Sequence, residues 1–407
     1  MAAMDNMMNA RPGGGTGNGH PNYPKGKIVQ GTARNGRAFP PATNKLDDYD
    51  ILAKVGEGTY GHVYKALCKK NNKTVALKRL LNVSEEEDGL PFTSVREIKF
   101  LTQLRSVTHV VTLLDSFFGK DGELVCVFEW MDHDLSGLLS TLPGGLPLAN
   151  AKCYMKQLLE ALFEVHQRGL MHRDIKAANM LLNNEGGLFL ADLGLMTSFT
   201  CRKVFSNNVV TRWYKPPELL LGATNYGPEV DMWGVGCVLV EMLTGKTLFP
   251  GRNEKHQLGL ILNICGTEDL VRARAANLKL SKLKAYPQVL QEIQKAEGMK
   301  VRKTRLREKY STFPDEVIDL LNRLLAFNPE ERMAAKDALD HDFFWKGVQP
   351  TDCKDMPVFP SIHEYEVKVM RKNEKLKPKP VPRQPNKPFG RPPHHHPHHH
   401  KNVGAFR

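Results

Sequence analysis

The chain has 407 residues, 57 of them Lys or Arg against 44 Asp or Glu, giving a formal net charge of +13. The length predicts two domains or lobes, and the 41% apolar and 25% charged content fits a soluble globular chain. Seven cysteines with no C-x-x-C pair argue against a zinc module of that design or a dense disulfide scaffold, and favour a reducing compartment.

Residues 1–46 are rich in Gly, Asn and Pro without apolar periodicity and are expected to be disordered. Their start, MAAMDNMMNARPGGG, lacks the apolar stretch of a secretory signal. From Tyr49 to about Trp130, short Val/Leu/Phe-rich strands alternate with turns, interrupted by one helix over Thr93–Leu104. From Leu135 onward helical spacing dominates. Tyr154, Leu158, Leu162 and Val165 share a face of a helix expected to stop at Gly169, and Val235, Leu239 and Met242 form a second stripe ending at Gly245. The run Val235–Leu243 is broken by Glu241 and is too short to span a membrane. Residues 361–407 carry eight prolines and the tract HHHPHHH, and read as a flexible tail. The excess charge sits in the two ends, since residues 47–360 balance at 40 basic against 40 acidic. The body therefore needs no polyanionic partner.

Four segments carry chemistry. Gly56-Glu57-Gly58-Thr59-Tyr60-Gly61-His62-Val63 lies between strand-like segments, where glycines let backbone N–H groups approach a phosphate chain. A plain hairpin turn is the alternative; a dinucleotide fingerprint is excluded because strand, not helix, follows. Lys78 in the apolar run Val75-Ala76-Leu77 needs an anionic partner unless it is a surface lysine, and Glu97 on the following helix is the candidate. In His172-Arg173-Asp174-Ile175-Lys176-Ala177-Ala178-Asn179, Asp174 can accept the proton of an attacking hydroxyl. Lys176 can neutralise a transferring phosphoryl group, and Asn179 offers an oxygen to a metal ion. Asp192 in Leu190-Ala191-Asp192-Leu193-Gly194 is the matching Mg²⁺ ligand.

In this order and spacing the motifs resemble the eukaryotic protein kinase signature over roughly Tyr49–Trp345, including Pro216-Pro217-Glu218. The resemblance implies an α+β bilobal protein-kinase fold: a small antiparallel-sheet N-lobe (about 47–130) with one regulatory helix, and a larger, mainly helical C-lobe (about 131–345). Residues 1–46 and 346–407 then become tails. It implies ATP and Mg²⁺ as cofactors, with Lys78, Glu97, Asp174 and Lys176 catalytic and Asn179 and Asp192 on the metal. Val55, the Gly56–Gly61 loop, Val63, Ala76, Glu129, Met131, Asp134 and Leu181 would surround the nucleotide. It further implies a Glu218–Arg332 pair, Asp231 as anchor of the loop at Asp174, and Leu193 stacked with Leu101, Leu113 and His172. The Asp174-Ile175-Lys176 order is similar to serine/threonine kinases.

Within the family, PFTSVRE, VVTRWYKPPELLLG, FEWMDHDLSGLL and DALDHDFFW look like cyclin-dependent kinases of the transcription-elongation branch, whose members phosphorylate Ser-Pro repeats of the RNA polymerase II C-terminal domain. A cyclin partner, a Ser/Thr-Pro protein substrate, a nuclear location and an inactive state without cyclin are the implied expectations. Ser206 stands at the activating phosphorylation position, with Arg96 and Arg173 as phosphate clamp; a solvated loop serine is the alternative. The sequence departs from the family at Leu193 (usually Phe), Thr197 (a third clamp arginine), Lys215 (an arginine beside the substrate-proline pocket) and Arg212 (an apolar residue). Neutral Asn208 would not attract a basic residue downstream of the target. These departures motivate a second reading, a pseudokinase scaffold that binds a cyclin-like partner without turnover. The basic stretch Lys368–Lys387 could contact RNA, an acidic partner or an import receptor, and the histidines at 394–400 metal or protons.

Overall fold

The computed structural model describes residues 45–58, 61–80, 92–119, 123–201, 204–275, 282–285, 287–289, 291 and 301–376. Most of residues 1–46, Thr59, Tyr60, the basic stretch beyond Leu376 and the histidine tract lie outside them. The first lobe is a five-stranded antiparallel sheet of β1 (Tyr49–Gly58), β2 (Gly61–Cys68), β3 (Lys73–Leu80), β4 (Leu113–Phe118) and β5 (Leu124–Glu129), ordered β1-β2-β3-β5-β4. Alternation builds it. On β3, Val75 and Leu77 point into a core with Ala66, Phe117, Val125 and Val127, which leaves Ala76 and Lys78 on the opposite face. Helix α1 (Phe92–Gln103) crosses between β3 and β4 in chain order.

The second lobe is helical around two long elements, α3 (Leu148–Gln167) and α5 (Glu229–Thr244), which follow the short α2 (Leu135–Ser140) and α4 (Pro217–Leu220). The predicted stripe on α3 is buried, and Gly169 beyond its end has φ 69°, the left-handed conformation that glycine adopts without Cβ strain. Helix α5 is apolar nearly all round and correspondingly buried, with Trp233 stacked on Phe249 at 5.9 Å. It ends at Gly245, φ 66°. Short strand pairs, β6 (His133–Asp134) with β8 (Met180–Leu182) and β9 (Leu188–Leu190), and β7 (Leu170–Met171) with β10 (Thr197–Ser198), fix the segment between the lobes. Helices α6 (Glu254–Cys265), α7 (Glu268–Ala275), α8 (Leu306–Lys309), α9 (Asp315–Leu324) and α10 (Ala335–Leu339) complete this lobe. No helix among the described residues is long and apolar enough to cross a membrane.

Beyond Trp345 the chain turns back as a strap. Thr351 N–H donates to Ala149 O at 3.1 Å, and the Asn184 side chain both donates to and accepts from the Phe359 backbone, 3.1 Å each way. The strap ends in α11 (Glu364–Leu376), packed against α2 and β1. A flexible tail from residue 361 is therefore corrected: residues 361–376 are folded. All eight prolines of the C-terminal stretch lie beyond Leu376, and α11 gains a Glu364–Lys368 ion pair at 2.9 Å one turn apart.

Candidate active site

The loop after β7 is organised from beneath. Asp231, in the first turn of α5, is almost wholly buried and accepts three hydrogen bonds: His172 N–H at 2.8 Å and His166 Nε2 at 2.9 Å on one oxygen, Arg173 N–H at 2.7 Å on the other. Burial pushes its carboxyl up, but the imidazole of His166 and the other donors outweigh this and hold it below the usual carboxylate range. The loop pays for its shape with Arg173 at φ 69°. Held this way, Asp174 sits buried at the front. One of its oxygens accepts Thr211 N–H at 3.0 Å and the Thr211 hydroxyl at 2.7 Å; the other faces Lys176 Nζ at 2.5 Å and Asn179 Nδ2 at 3.1 Å. Burial is the strongest single influence and raises its pKa. The Lys176 ammonium, the Thr211 hydroxyl and the nearby His172 together reverse this and leave Asp174 below the usual range. It is an ionised acceptor at neutral pH.

Above the loop, Lys78 Nζ lies 2.6 and 2.9 Å from the two oxygens of Glu97 and 3.8 Å from Asp192. Burial opposes the lysine charge, yet the Glu97 and Asp192 carboxylates raise its pKa above the ordinary lysine range. Asp192 has φ 61°, unusual for a residue with a Cβ, and its half-exposed carboxylate faces the cleft rim. The Asn179 amide donates to Asp174 O at 2.9 Å as well as to its carboxylate, so its carbonyl oxygen is the uncommitted end. A carboxylate and an amide oxygen are the hard donors that Mg²⁺ takes, with phosphate oxygens and water filling its other positions. The donor set therefore fits a magnesium nucleotide held by Lys78, Asn179 and Asp192. On β1 and β2, Gly56 and Gly61 sit where the sheet leaves no room for a side chain. Gly56 lies against Val63, and a Cβ on Gly61 would stand 1.9 Å from Arg79 O. Val63 and Ala76 lie on adjacent strands, with Val55 on β1, Leu181 on β8, and Glu129 and Met131 at the crossing between the lobes. Thr59 and Tyr60 lie outside the described residues.

The pattern of the protein kinase domain family matches residues 49–344. The chain belongs to the protein kinase family, in its cyclin-dependent branch. It is 37% identical over 353 residues to cyclin-dependent kinase 9 of Homo sapiens, covering 83% of this chain and 91% of that one. Cyclin-dependent kinase C-2 of Arabidopsis thaliana is 40% identical over 348 residues, 81% of this chain and 65% of its own length. A probable cyclin-dependent serine/threonine-protein kinase of Dictyostelium discoideum is 41% identical over 326 residues, 79% and 48%. The chain thus spans about half to two thirds of the length of these last two relatives.

Other features of a kinase follow the resemblance in position. Glu218 and Arg332 form a buried, two-pronged pair at 2.8 and 3.0 Å. Leu193 and Leu101 are fully buried in the main core, with Leu113 against it and His172 buried beside them. The Lys78–Glu97 pair is closed in this single chain, whereas an open, inactive arrangement is expected from the sequence. Ser206 is exposed; its hydroxyl accepts Asn208 N–H at 3.1 Å, and its carbonyl accepts the Tyr226 hydroxyl at 2.5 Å. Arg173 reaches that hydroxyl at 3.3 Å and Leu195 O at 2.8 Å, so one tyrosine separates it from Ser206; Arg96 stands on α1 beside Glu97. Lys215 is buried and turned to Glu254 at 2.6 Å. Arg212, unexplained by sequence, donates to Arg252 O at 3.0 Å and ties the segment after Thr211 to the approach to α6.

Asp134, expected among the residues around the nucleotide, has both carboxylate oxygens engaged by backbone N–H groups. Oδ1 caps α2 through Gly137 N–H at 2.7 Å, and Oδ2 accepts Glu364 N–H of the strap, also at 2.7 Å. Burial raises its pKa in spite of these bonds. Beside it His363 Nε2 lies 3.2 Å from Met131 O, and its ring meets Trp130 edge-on at 5.2 Å. The sequence reading missed His363, Glu364, His166 and Tyr226. Glu364 spaced four residues before Lys368 was the one local signal for the strap helix.

Proposed function

We propose that this chain is a cyclin-dependent serine/threonine protein kinase. It transfers the γ-phosphate of ATP to Ser/Thr-Pro sites, with the serine-rich repeats of the RNA polymerase II C-terminal domain as substrate and the nucleus as its place of work. One observation carries the reading: Asp174, ionised and bracketed by Lys176, Asn179 and Thr211, faces the same cleft as Lys78, Glu97 and Asp192. Magnesium and ATP, when bound, supply the phosphoryl group and the charge that neutralises it. The chain's own residues do the rest by positioning. Lys78, steadied by Glu97, holds the α- and β-phosphates. Asp174 orients the substrate hydroxyl and receives its proton. Lys176 already spans Asp174 and Thr211, at 2.5 and 3.2 Å, and is placed to offset charge on the transferring group. Val210 at φ 68°, strained for a β-branched residue, shapes the platform for the residue after the target. With Lys215 committed to Glu254, selection for proline there is weaker than with the family arginine.

The cyclin's part is to hold α1 against the cleft, shifting a population toward the closed Lys78–Glu97 pair rather than creating that pair. The scaffold reading is disfavoured by the complete set of charged groups. Assaying phosphate transfer by the wild type and by Asp192→Asn, each with a cyclin, tests the proposal: transfer should be lost in the variant, and equal label incorporation by the two would overturn it.

A further inference from the structure

Cys153, on α3, is buried, and its sulfur lies 3.9 Å from that of Cys353, which is exposed on the strap. The two are 200 residues apart in sequence. Gln157, one turn along α3, donates its amide to both sulfurs, at 3.4 and 3.5 Å, and to Gly186 O at 2.9 Å. Its other end accepts Leu188 N–H at 2.7 Å. Two backbone contacts thus fix the amide, and the amide holds the thiols side by side. The turn at Gly186 is pressed against the strap: a Cβ there would fall 2.1 Å from Cys353 O.

We propose that Cys153 and Cys353 are a reversible thiol–disulfide pair that staples the strap to α3. The sulfurs are in van der Waals contact, and closing to about 2.0 Å requires rotation about the side-chain bonds with a small movement of the exposed partner. Hydrogen peroxide is the oxidant. The Cys353 thiolate attacks one peroxide oxygen, the O–O bond breaks, and the released hydroxide takes a proton to become water; Cys353 is then a sulfenic acid. The Cys153 sulfur attacks the Cys353 sulfur, the S–O bond breaks, and the oxygen leaves as a second water with the Cys153 proton. Two thiols lose two electrons to one peroxide. A small-molecule thiol reverses the bond by exchange. Exposure assigns the first step to Cys353. Burial pushes the Cys153 thiol up to about 11, so the second step should quicken as pH rises.

Cys353 and His363 are ten positions apart, so the staple restrains the part of the strap that reaches Met131 and Asp134. In a reducing compartment such a bond is transient, formed during oxidative stress and then reduced. The test treats the full chain with hydrogen peroxide, blocks remaining thiols with iodoacetamide, and maps digests with and without reductant. A peptide pair joining Cys153 to Cys353 should appear, vanish on reduction with glutathione, and be absent from Cys353→Ser, an exposed position whose replacement leaves the core intact. Amide exchange over residues 360–368 should slow at least about threefold on oxidation of the wild type, and not in Cys353→Ser. Full alkylation of both thiols after peroxide treatment, or pairing with Cys201 instead, would overturn the pair. A 153–353 bond without slowed exchange would overturn the stapling.

Discussion

The loop carrying Asp174 and the segment carrying Ser206 lie within one lobe, yet they are held in opposite ways. The first is buried, and Asp231 collects three donors from His166, His172 and Arg173. The second is exposed at Ser206, where the backbone is held by the Tyr226 hydroxyl between that residue's carbonyl and Arg173 and by the neighbouring Phe205 N–H, which donates to Thr224 O at 2.7 Å. The difference separates chemistry from control. Packing and hydrogen bonds set the catalytic groups in advance. If Ser206 is the phosphorylation position that the resemblance implies, a phosphate there would be drawn to Arg173 and Arg96 and would complete the second segment.

The largest effect that distinguishes the two regions is at Asp174. Asp174→Asn should lower phosphate transfer by roughly 10²- to 10⁴-fold, while nucleotide affinity, read by titration calorimetry, stays within about twofold. A parallel loss of affinity would move Asp174 from the reacting hydroxyl to nucleotide binding. Next comes acid. Asp174 and Asp231 are both held below the usual carboxylate range, so the folded chain binds fewer protons than the unfolded one as the ordinary carboxylates titrate. Their stabilisation is present at neutral pH and drains away as pH falls below about 4, through the depressed folded values. Urea midpoints should therefore drop steeply there. The Asp231→Asn curve should start lower and run flatter, and an equal slope in both would mean that Asp231 is not the group titrating. The smallest effect belongs to the control segment. Thr197→Arg restores a third arginine near Arg173, worth at most the low end of about 1.5–3 kcal/mol for a charge-assisted contact in a solvated place. It should raise the melting temperature of the chain phosphorylated at Ser206 and leave the unphosphorylated chain unchanged. Identical shifts in both forms would detach Thr197 from the phosphate.

The bilobal fold and the grouping of Lys78, Glu97, Asp174, Lys176, Asn179 and Asp192 were legible because each sits in a short word whose polar residues contrast with apolar neighbours. Even Gly169 and Gly245, with φ 69° and 66°, are readable as helix stops. What escaped is long-range and polar. The partner of Asp134 is a backbone N–H 230 residues away, and such a bond leaves no periodic trace. Tyr226 and His166 act through one side-chain atom each, from positions that look like ordinary surface or core. The strap was obscured by averaging: the prolines and histidines at the far end of the chain masked the proline-free stretch before Leu376. The Lys78–Glu97 pair was legible as a pairing, but that it stands closed in the single chain depends on how α1 packs, which the residues of α1 alone do not state.

The contact of His363 with Met131 O reaches beyond catalysis. The wall behind the crossing between the lobes is completed by this buried imidazole, which also packs edge-on to Trp130. Chemical discrimination between this kinase and one whose polypeptide stops sooner can therefore be built at a place where no reacting group stands, and a fragment trimmed at Trp345 would give medicinal chemists the wrong mould.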